Sequence, residues 1–478
     1  MRTSAFLSAL LALALLASAC AAPAAAPTSA PAVAPTTAPA AAAPTKAPAA
    51  APTTAPAAAA PTAPAAATTA APAAAATAPA AATAAPAATR AAAPTAAAAA
   101  PTTAAAATSA PAAAAGGTIK IGLLYNVTGA LSSIDEPALK GSQLALKEIN
   151  AKGGVNGKKL EAVVYDGKTD VTAATNAATR LVESDKVKAV VGLTDTQYVL
   201  PIGPIFQQAG IPFLTVGATA PVIPSIGDYI FMAPFGDNVQ AAAGAEFAYK
   251  KNGWKNGYLL MDKAQEYTRF LAKYFKERYT ELGGNLLGED TYQTGDKDYS
   301  AQFTKIKSLN PAPDFVYISA MPDDIGTIIK QARDQGVNQP IVGGDGYDTP
   351  LLVQVAGPER SNNVYFSTHL GVYGDDPTAK AFSDAYAKEY GGPPDTVFAA
   401  LGYDSVNMMA DAIKRAGSDD PKAIRDALAQ TQNFKGASGT ISYKPGERIP
   451  SKSVALIQVK DGKFNLLDVV VPEKVPAP

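Results

Sequence analysis

From Thr118 onward, short apolar runs alternate with amphipathic stretches, the pattern of a parallel sheet flanked by helices. Ile119 to Tyr125 reads as a buried strand, an apolar run that is β-rich at its start. Leu139, Ala145 and Ile149, with Gly141 and Leu144, recur at helical spacing between Pro137 and Asn150. Gly153-Gly154 ends that helix, and Asn156-Gly157 turns the chain into a strand from Leu160 to Tyr165. A helix from about Thr172 to Glu183, a strand Val187 to Val191, a helix from about Gln197 to Ala209 and a strand Pro212 to Val216 follow. After Pro234 the alternation begins again. Strands are predicted over Tyr258 to Met261, Leu286 to Thr291, Phe315 to Ser319 and Ile341-Val342. Helices alternate with them over Thr268 to Leu282, Tyr299 to Leu309 and Asp323 to Gln335. Helices around Ala379 to Tyr390, Phe398 to Ala416 and Pro421 to Leu428 come next. A strand pair, Val454 to Val459 and Phe464 to Val470, closes the chain around Asp461-Gly462. Two similar α/β lobes are the expected architecture.

The start of the chain has another character. Arg2, the apolar run Phe6 to Leu16 and Ala17-Ser18-Ala19-Cys20 follow the order of an export signal, and the run is too short to span a bilayer. A cysteine in that place resembles the lipobox of bacterial lipoproteins, which implies a lipid on Cys20. The likeness departs from the usual pattern in having Ala17 where Leu is common, with Leu16 one place early. An ordinary secretory signal with an incidental cysteine is the other reading. From Ala21 to Ala115 the sequence is almost pure Ala, Pro and Thr, charged only at Lys46 and Arg90. Recurring prolines break any helix, and so few large side chains cannot offset the entropy of ordering. The expected organisation is a lipoprotein signal over residues 1–20, a disordered Ala/Pro/Thr linker over 21–117 and a folded domain over 118–478.

Lys+Arg 40 against Asp+Glu 41 gives a net charge of −1, without the basic footprint of a nucleic-acid binder. The only cysteine is Cys20, so the folded part has no disulfide, and no second apolar run is long enough for a transmembrane helix. In open parallel sheets, ligands bind beyond the carboxyl ends of the strands. That rule selects the loops Asn126 to Ile134, Leu193 to Gln197, Gly217 to Thr219, Lys263 to Tyr267, Ala320 to Pro322 and Gly343 to Tyr347. They carry hydroxyls, glycines, an aromatic and a carboxylate, but no nucleophile elbow, Walker loop or dinucleotide fingerprint. No group has metal-ligand spacing. The only histidine, His369, is expected to be satisfied or solvent-facing in a loop, and Asp166 and Asp170 to cap turns and the following helix. No cofactor is called for, and the chemistry points to binding rather than catalysis.

The run Glu148-Ile149-Asn150-Ala151-Lys152-Gly153-Gly154-Val155-Asn156-Gly157 resembles a signature of the type I solute-binding proteins of branched-chain amino-acid importers. Gly210-Ile211-Pro212, Gly217-Ala218-Thr219-Ala220-Pro221 and Asp314-Phe315-Val316-Tyr317 extend the likeness over essentially all of Thr118 to Pro478. The resemblance implies two Rossmann-like lobes joined by a three-crossing hinge and closing on one small ligand. Lobe 1 would comprise about 118–234 and 368–449, and lobe 2 about 235–367 and 450–478. It further implies that a hydroxyl at Thr196 and backbone groups at Gly217 and Thr219 hold the ligand's carboxylate. Thr196 opens a predicted helix, where free N–H groups favour an anion. Asp345 falls where an acid meets the ligand's ammonium, Tyr267 where an aromatic follows the first strand of lobe 2, and Phe398 on the wall of the side-chain pocket. Ile134 stands where many relatives carry an aromatic, and Met321 where a tyrosine is common. Both changes keep the pocket apolar while removing stacking surface and a hydroxyl.

The expected function is therefore that of a lipid-anchored, extracytoplasmic, monomeric binding component of an ABC importer. Permease and ATPase subunits would be its partners and a branched-chain or similar amino acid its ligand. A sensor with the same closing lobes is the runner-up, and an amide, urea or aromatic compound is the alternative ligand class.

Overall fold

The computed structural model describes residues 116–374 and 376–478, so the expected signal, Cys20 and nearly all of the expected linker lie outside the described residues. The first layer is built from β1 (Thr118–Tyr125), α1 (Ser132–Ala151), β2 (Lys159–Asp166), α2 (Val171–Glu183), β3 (Ala189–Gly192), α3 (Thr196–Ala209), β4 (Phe213–Thr215) and β5 (Ile230–Met232). Its strands form a parallel sheet in the order β2-β1-β3-β4-β5. β3, β4 and β5 are buried along their whole length, and burial of β3 and β4 on both faces is why those two read as apolar runs in the sequence. Asp170 and Asp195 cap α2 and α3, accepting from the amides of Ala173 at 2.7 Å and Gln197 at 2.8 Å.

The second layer follows as α4 (Asp237–Glu246), β6 (Asn256–Asp262), α5 (Glu266–Glu281), β7 (Asn285–Tyr292), α6 (Ser300–Ser308), β8 (Phe315–Ser319), α7 (Pro322–Asp334), β9 (Ile341–Gly343), α8 (Leu351–Ala356) and β10 (Val364–Thr368). The chain continues through α9 (Pro377–Tyr390), α10 (Phe398–Ala416), α11 (Pro421–Ala429) and a small hairpin of β11 (Phe434–Gly436) and β12 (Gly439–Ile441). It ends in β13 (Val454–Lys460) and β14 (Lys463–Val470). The second sheet runs β14-β13-β10-β9-β8-β6-β7, with β13 antiparallel to both its neighbours. On one face of it, Phe275 of α5 stacks on Tyr317 of β8 with ring centroids 3.6 Å apart. α10 returns to the first layer and packs along α1. A Cβ on Gly141 would sit 1.9 Å from the Ala399 carbonyl, and one on Gly402 1.9 Å from the Ala138 carbonyl, so this close crossing requires glycine on both helices.

The chain passes between the layers three times, after β5, after β10 and before β13. The crossings touch one another. Phe235 on the first stacks on His369 of the second, with ring centroids 3.8 Å apart. Lys452 on the third is buried and donates to Ser438 Oγ at 2.8 Å, beside the Asp404 carboxylate. Three crossings thus join two α/β lobes.

Several elements differ from the expectation. α1 begins at Ser132 with Pro137 inside it, because Ile134, Asp135 and Ala138 are buried and packing holds the turns that proline would loosen. β5, α4, α8, β10 and the β11–β12 hairpin had no reading in the sequence. α4 buries Asp237, Asn238 and Gln240 among small alanines, so it has no apolar stripe to betray it.

Candidate functional site

The six loops at the carboxyl ends of the strands converge on one cavity between the lobes. It is lined by Ile134, Thr194, Asp195, Gly217 and Thr219 from the first lobe's strand ends. Tyr267, Met321, Pro322, Asp345 and Gly346 line it from the second, and Phe398 at the start of α10 completes the wall. Seven of the eight residues expected to meet a ligand therefore share one space. The cavity volume is about 20 Å³, room for a water molecule and not for an amino acid. A larger hollow of about 640 Å³ lies beside the crossings, lined by Asn238, Arg448 and Pro476 among others, away from the strand ends.

On the second lobe, β9 ends in a short turn of 3₁₀ helix that brings Asp345 to the cavity. Its Oδ1 accepts from Tyr267 OH at 2.9 Å and from Gln240 Nε2 at 2.9 Å, while its Oδ2 has no hydrogen-bond partner in the protein. Gln240 Oε1 in turn accepts from the Asp345 amide at 3.1 Å, and the Tyr267 oxygen from the Gly346 amide at 3.0 Å. The acid is thus gripped from α4 and α5 with one oxygen left unengaged. Tyr267 acts on Asp345 as much as on the cavity wall.

On the first lobe, the Thr219 carbonyl accepts from the Asp237 amide at 2.7 Å, and no acceptor among the described residues takes the Thr219 N–H. The Gly217 N–H is already given to the Leu193 carbonyl at 3.2 Å, so Gly217 contributes close approach rather than a donor. A Cβ there would stand 2.7 Å from Phe398 Cε1 and 3.0 Å from Thr194 Cβ. Thr196, the expected hydroxyl, does not line the cavity. It is fully buried, and its Oγ1 accepts from the Ala220 amide at 3.3 Å. Thr194, two residues earlier, lines the cavity instead, as does Thr219, because Asp195 and not Thr196 caps α3. Thr194 Oγ1 donates to Asp135 Oδ2 at 2.8 Å.

Sequence reasoning missed four buried polar groups. Asp135 and Asp195 flank Thr194, and burial pushes each carboxyl up to about 7. Asp237 and Gln240 join the poles: Gln240 Nε2 donates to Asp237 Oδ1 at 3.1 Å as well as to Asp345, and burial raises Asp237 well above the carboxylate range. His369 is neither satisfied nor solvent-facing. It is fully buried where the second crossing leaves β10, neither ring nitrogen has a partner, and Nε2 lies 3.7 Å from Asp345 Oδ2, too long for a hydrogen bond. Burial lowers it to about 4, so the imidazole is neutral and the contact is no ion pair at neutral pH. Asp348 ties the crossing to the wall of the cavity, accepting from Thr368 Oγ1 at 2.8 Å and from the Val397 amide at 3.3 Å, one residue before Phe398. Among the described residues, no three metal-ligating side chains come together.

Two α/β lobes joined by three crossings, with an acidic and hydroxylated cavity at their strand ends, have the architecture of a two-lobed solute-binding protein. The profile of the periplasmic binding protein family matches residues 118–463. The leucine-, isoleucine-, valine-, threonine- and alanine-binding protein of Pseudomonas aeruginosa is 30% identical over 330 residues, covering 69% of this chain and 86% of that protein. The crystal structure of the leucine-binding protein LivK from Thermotoga maritima is similar with a TM-score of 0.70 at 34% identity, covering 74% of this chain and 99% of that one. The branched-chain amino-acid transporter substrate-binding protein LivJ from Streptococcus pneumoniae, solved with isoleucine, also gives a TM-score of 0.70 at 34% identity, covering 74% of this chain and 100% of that one. The chain belongs to the type I periplasmic binding proteins, in the branched-chain amino-acid group.

Proposed function

We propose that the chain is the extracytoplasmic solute-binding component of an ATP-driven importer, tethered by lipid on Cys20, and that its lobes close over an aliphatic amino acid. The observation that supports this most is the division of complementary groups across one cavity. Asp345 on one lobe keeps an unengaged carboxylate oxygen, and the other lobe offers the free Thr219 N–H, with Thr194 beside it on the cavity wall. In this reading the ammonium meets Asp345, the carboxylate meets Thr219 and Thr194, and the side chain lies among Ile134, Met321 and Phe398. Thr194 takes the part first expected of Thr196. A ligand that bridges both lobes binds the closed form better than the open one, which is the differential affinity that closure requires. The names of the relatives, which include leucine and isoleucine binders, support the same ligand class.

An amide or urea is the second reading. It is favoured by the acids Asp135 and Asp195 on either side of Thr194, which would welcome a donor-rich ligand. Thermal melting of the purified chain with leucine, isoleucine, valine, their amides and urea tests both, since a bound ligand stabilises by mass action. A rise with the amino acids supports the first reading. A rise with amides or urea alone replaces it with the second.

A further inference from the structure

The carboxylate pole of the cavity is acidic, and its hydroxyl is already committed. Thr194 has one proton to give, and it gives it to Asp135 Oδ2 at 2.8 Å. Asp135 is fully buried in the first turn of α1, and its Oδ1 has no partner in the protein. Asp195 stands on the other side with Oδ1 held by the Gln197 amide, and no Lys, Arg or His lines the cavity. With Asp135 ionised, Thr194 can show only lone pairs to whatever lies in the cavity. A ligand carboxylate there would face those lone pairs and two anions, with the Thr219 N–H as the unengaged backbone donor beside them. With Asp135 protonated the bond reverses: the carboxyl O–H donates to Thr194 Oγ1, and the hydroxyl proton turns to the ligand.

We propose that Asp135 is a positioning residue that sets the direction of the Thr194 proton, so that binding of a carboxylate at this pole takes up a proton from solvent. The proposal rests on the reading of the ligand as an amino acid held with its carboxylate on the first lobe. The proton comes from water or buffer and ends on Asp135, and no other bond changes. The groups facing the Asp135 carboxyl are acidic or phenolic: Asp195 after β3, Asp166 at the end of β2, Tyr125 on β1 and Tyr198 on α3. Asp345 and Asp262 of the second lobe bear on Asp195. α10, which packs along α1, spends its Asp404 on Ser438 and on the buried Lys452 instead. No cation among the described residues neutralises the pair, so a proton is the available counter-charge. Burial, with this crowding of like charge, lifts Asp135 and Asp195 to about 7, which places the uptake near neutral pH.

The test is calorimetric titration of the full chain with isoleucine between about pH 6 and about pH 8.5, in buffers of different ionisation enthalpy. Uptake of about one proton per ligand at the alkaline end, with affinity falling toward tenfold per pH unit above about pH 7, supports the proposal. Asp135→Asn places a neutral amide where the carboxyl was and can donate to Thr194 without a proton from solvent. It is expected to flatten the pH profile and to bind isoleucine at least about tenfold tighter than the parent at the alkaline end. Asp135→Ala leaves Thr194 without its partner and is expected to weaken binding at every pH, so rescue by Asn separates positioning from packing. Binding of isoleucine with unchanged affinity across the range and no proton uptake overturns the proposal while leaving the ligand class intact. Absence of isoleucine binding at every pH overturns the ligand class and this proposal with it.

Discussion

Replacing Asp345 by asparagine isolates the charge on which the cleft's polarity depends. Asp345 is 2% exposed, and its Oδ1 accepts from Tyr267 and Gln240, both at 2.9 Å. Asparagine keeps the shape and can keep both of those bonds on its carbonyl oxygen. What changes is the second position, where an N–H donor replaces the unengaged Oδ2 and would point at a ligand ammonium. Stranding one member of a desolvated charge pair costs about 3–5 kcal/mol. At about 1.4 kcal/mol per factor of ten, Asp345→Asn should weaken isoleucine by roughly a hundredfold to a few thousandfold. Without ligand the sign is opposite. The Asp345 charge raises both Asp195 and Asp237, so its removal relieves repulsion and the ligand-free melting temperature should hold or rise. Calorimetric titration and a thermal melt of the same preparation read the two effects. Unchanged affinity would refute the charge argument. A loss of affinity together with a lower ligand-free melting temperature would trace the effect to a damaged fold.

Tyr267→Phe removes the donor to Asp345 and the acceptor for the Gly346 amide, and should cost about 1–2 kcal/mol of isoleucine affinity by titration, with the circular dichroism spectrum unchanged. Gly217→Ala pushes a methyl against Phe398 and Thr194, so isoleucine should weaken at least about tenfold while alanine is spared, which a competition titration reads. The ligand-free chain should melt at a higher temperature at about pH 6.5 than at about pH 8. Asp135 and Asp195, lifted to about 7 by burial, bind more protons folded than unfolded, and that stabilisation is lost as pH rises through their folded values. His369, lowered to about 4, and Lys452, lowered to about 8, pull the other way at the two edges of the window, where each differs from its unfolded form by at most about half a proton, so the two acids outweigh them. A flat or rising melting temperature across the window counts against the buried acids. Cys20→Ser should release the protein into the medium or leave its signal uncleaved, read by fractionation and mass of the N-terminus, and a lipid-free wild-type N-terminus removes the tether.

The strands that build the cleft were legible because burial on both faces gives unbroken apolar runs, as in β3 and β8. The rule that ligands gather beyond strand carboxyl ends then found every loop of the cavity. What escaped was short or polar inside. β5 is three residues long, and α4 buries an aspartate, an asparagine and a glutamine, so neither carries a periodic signal. The slip from Thr194 to Thr196 has a local cause. Both hydroxyls flank the capping acid Asp195, and capping propensity does not say which of them faces the opposite lobe. Asp135 sits in the first turn of a helix, where an acid is ordinarily a surface residue favoured by the dipole, and only the packing of α1 under the cavity buries it. His369 reads as a loop residue because two crossings that are distant in sequence enclose it.

The most direct measurement compares isoleucine with its deaminated acid and its decarboxylated amine in titrations of the purified chain. Each analogue keeps the side chain and removes one pole, so Asp345 on one lobe or Thr219 and Thr194 on the other loses its counterpart. Isoleucine should bind, and the analogue without an ammonium should lose at least about a hundredfold, since it leaves the buried Asp345 unpaired. The amine should bind more weakly than isoleucine as well, because it cannot bridge the lobes. Equal binding of isoleucine and the deaminated acid would contradict the assignment of Asp345 to an ammonium and, with it, the reading of the cleft as an amino-acid site.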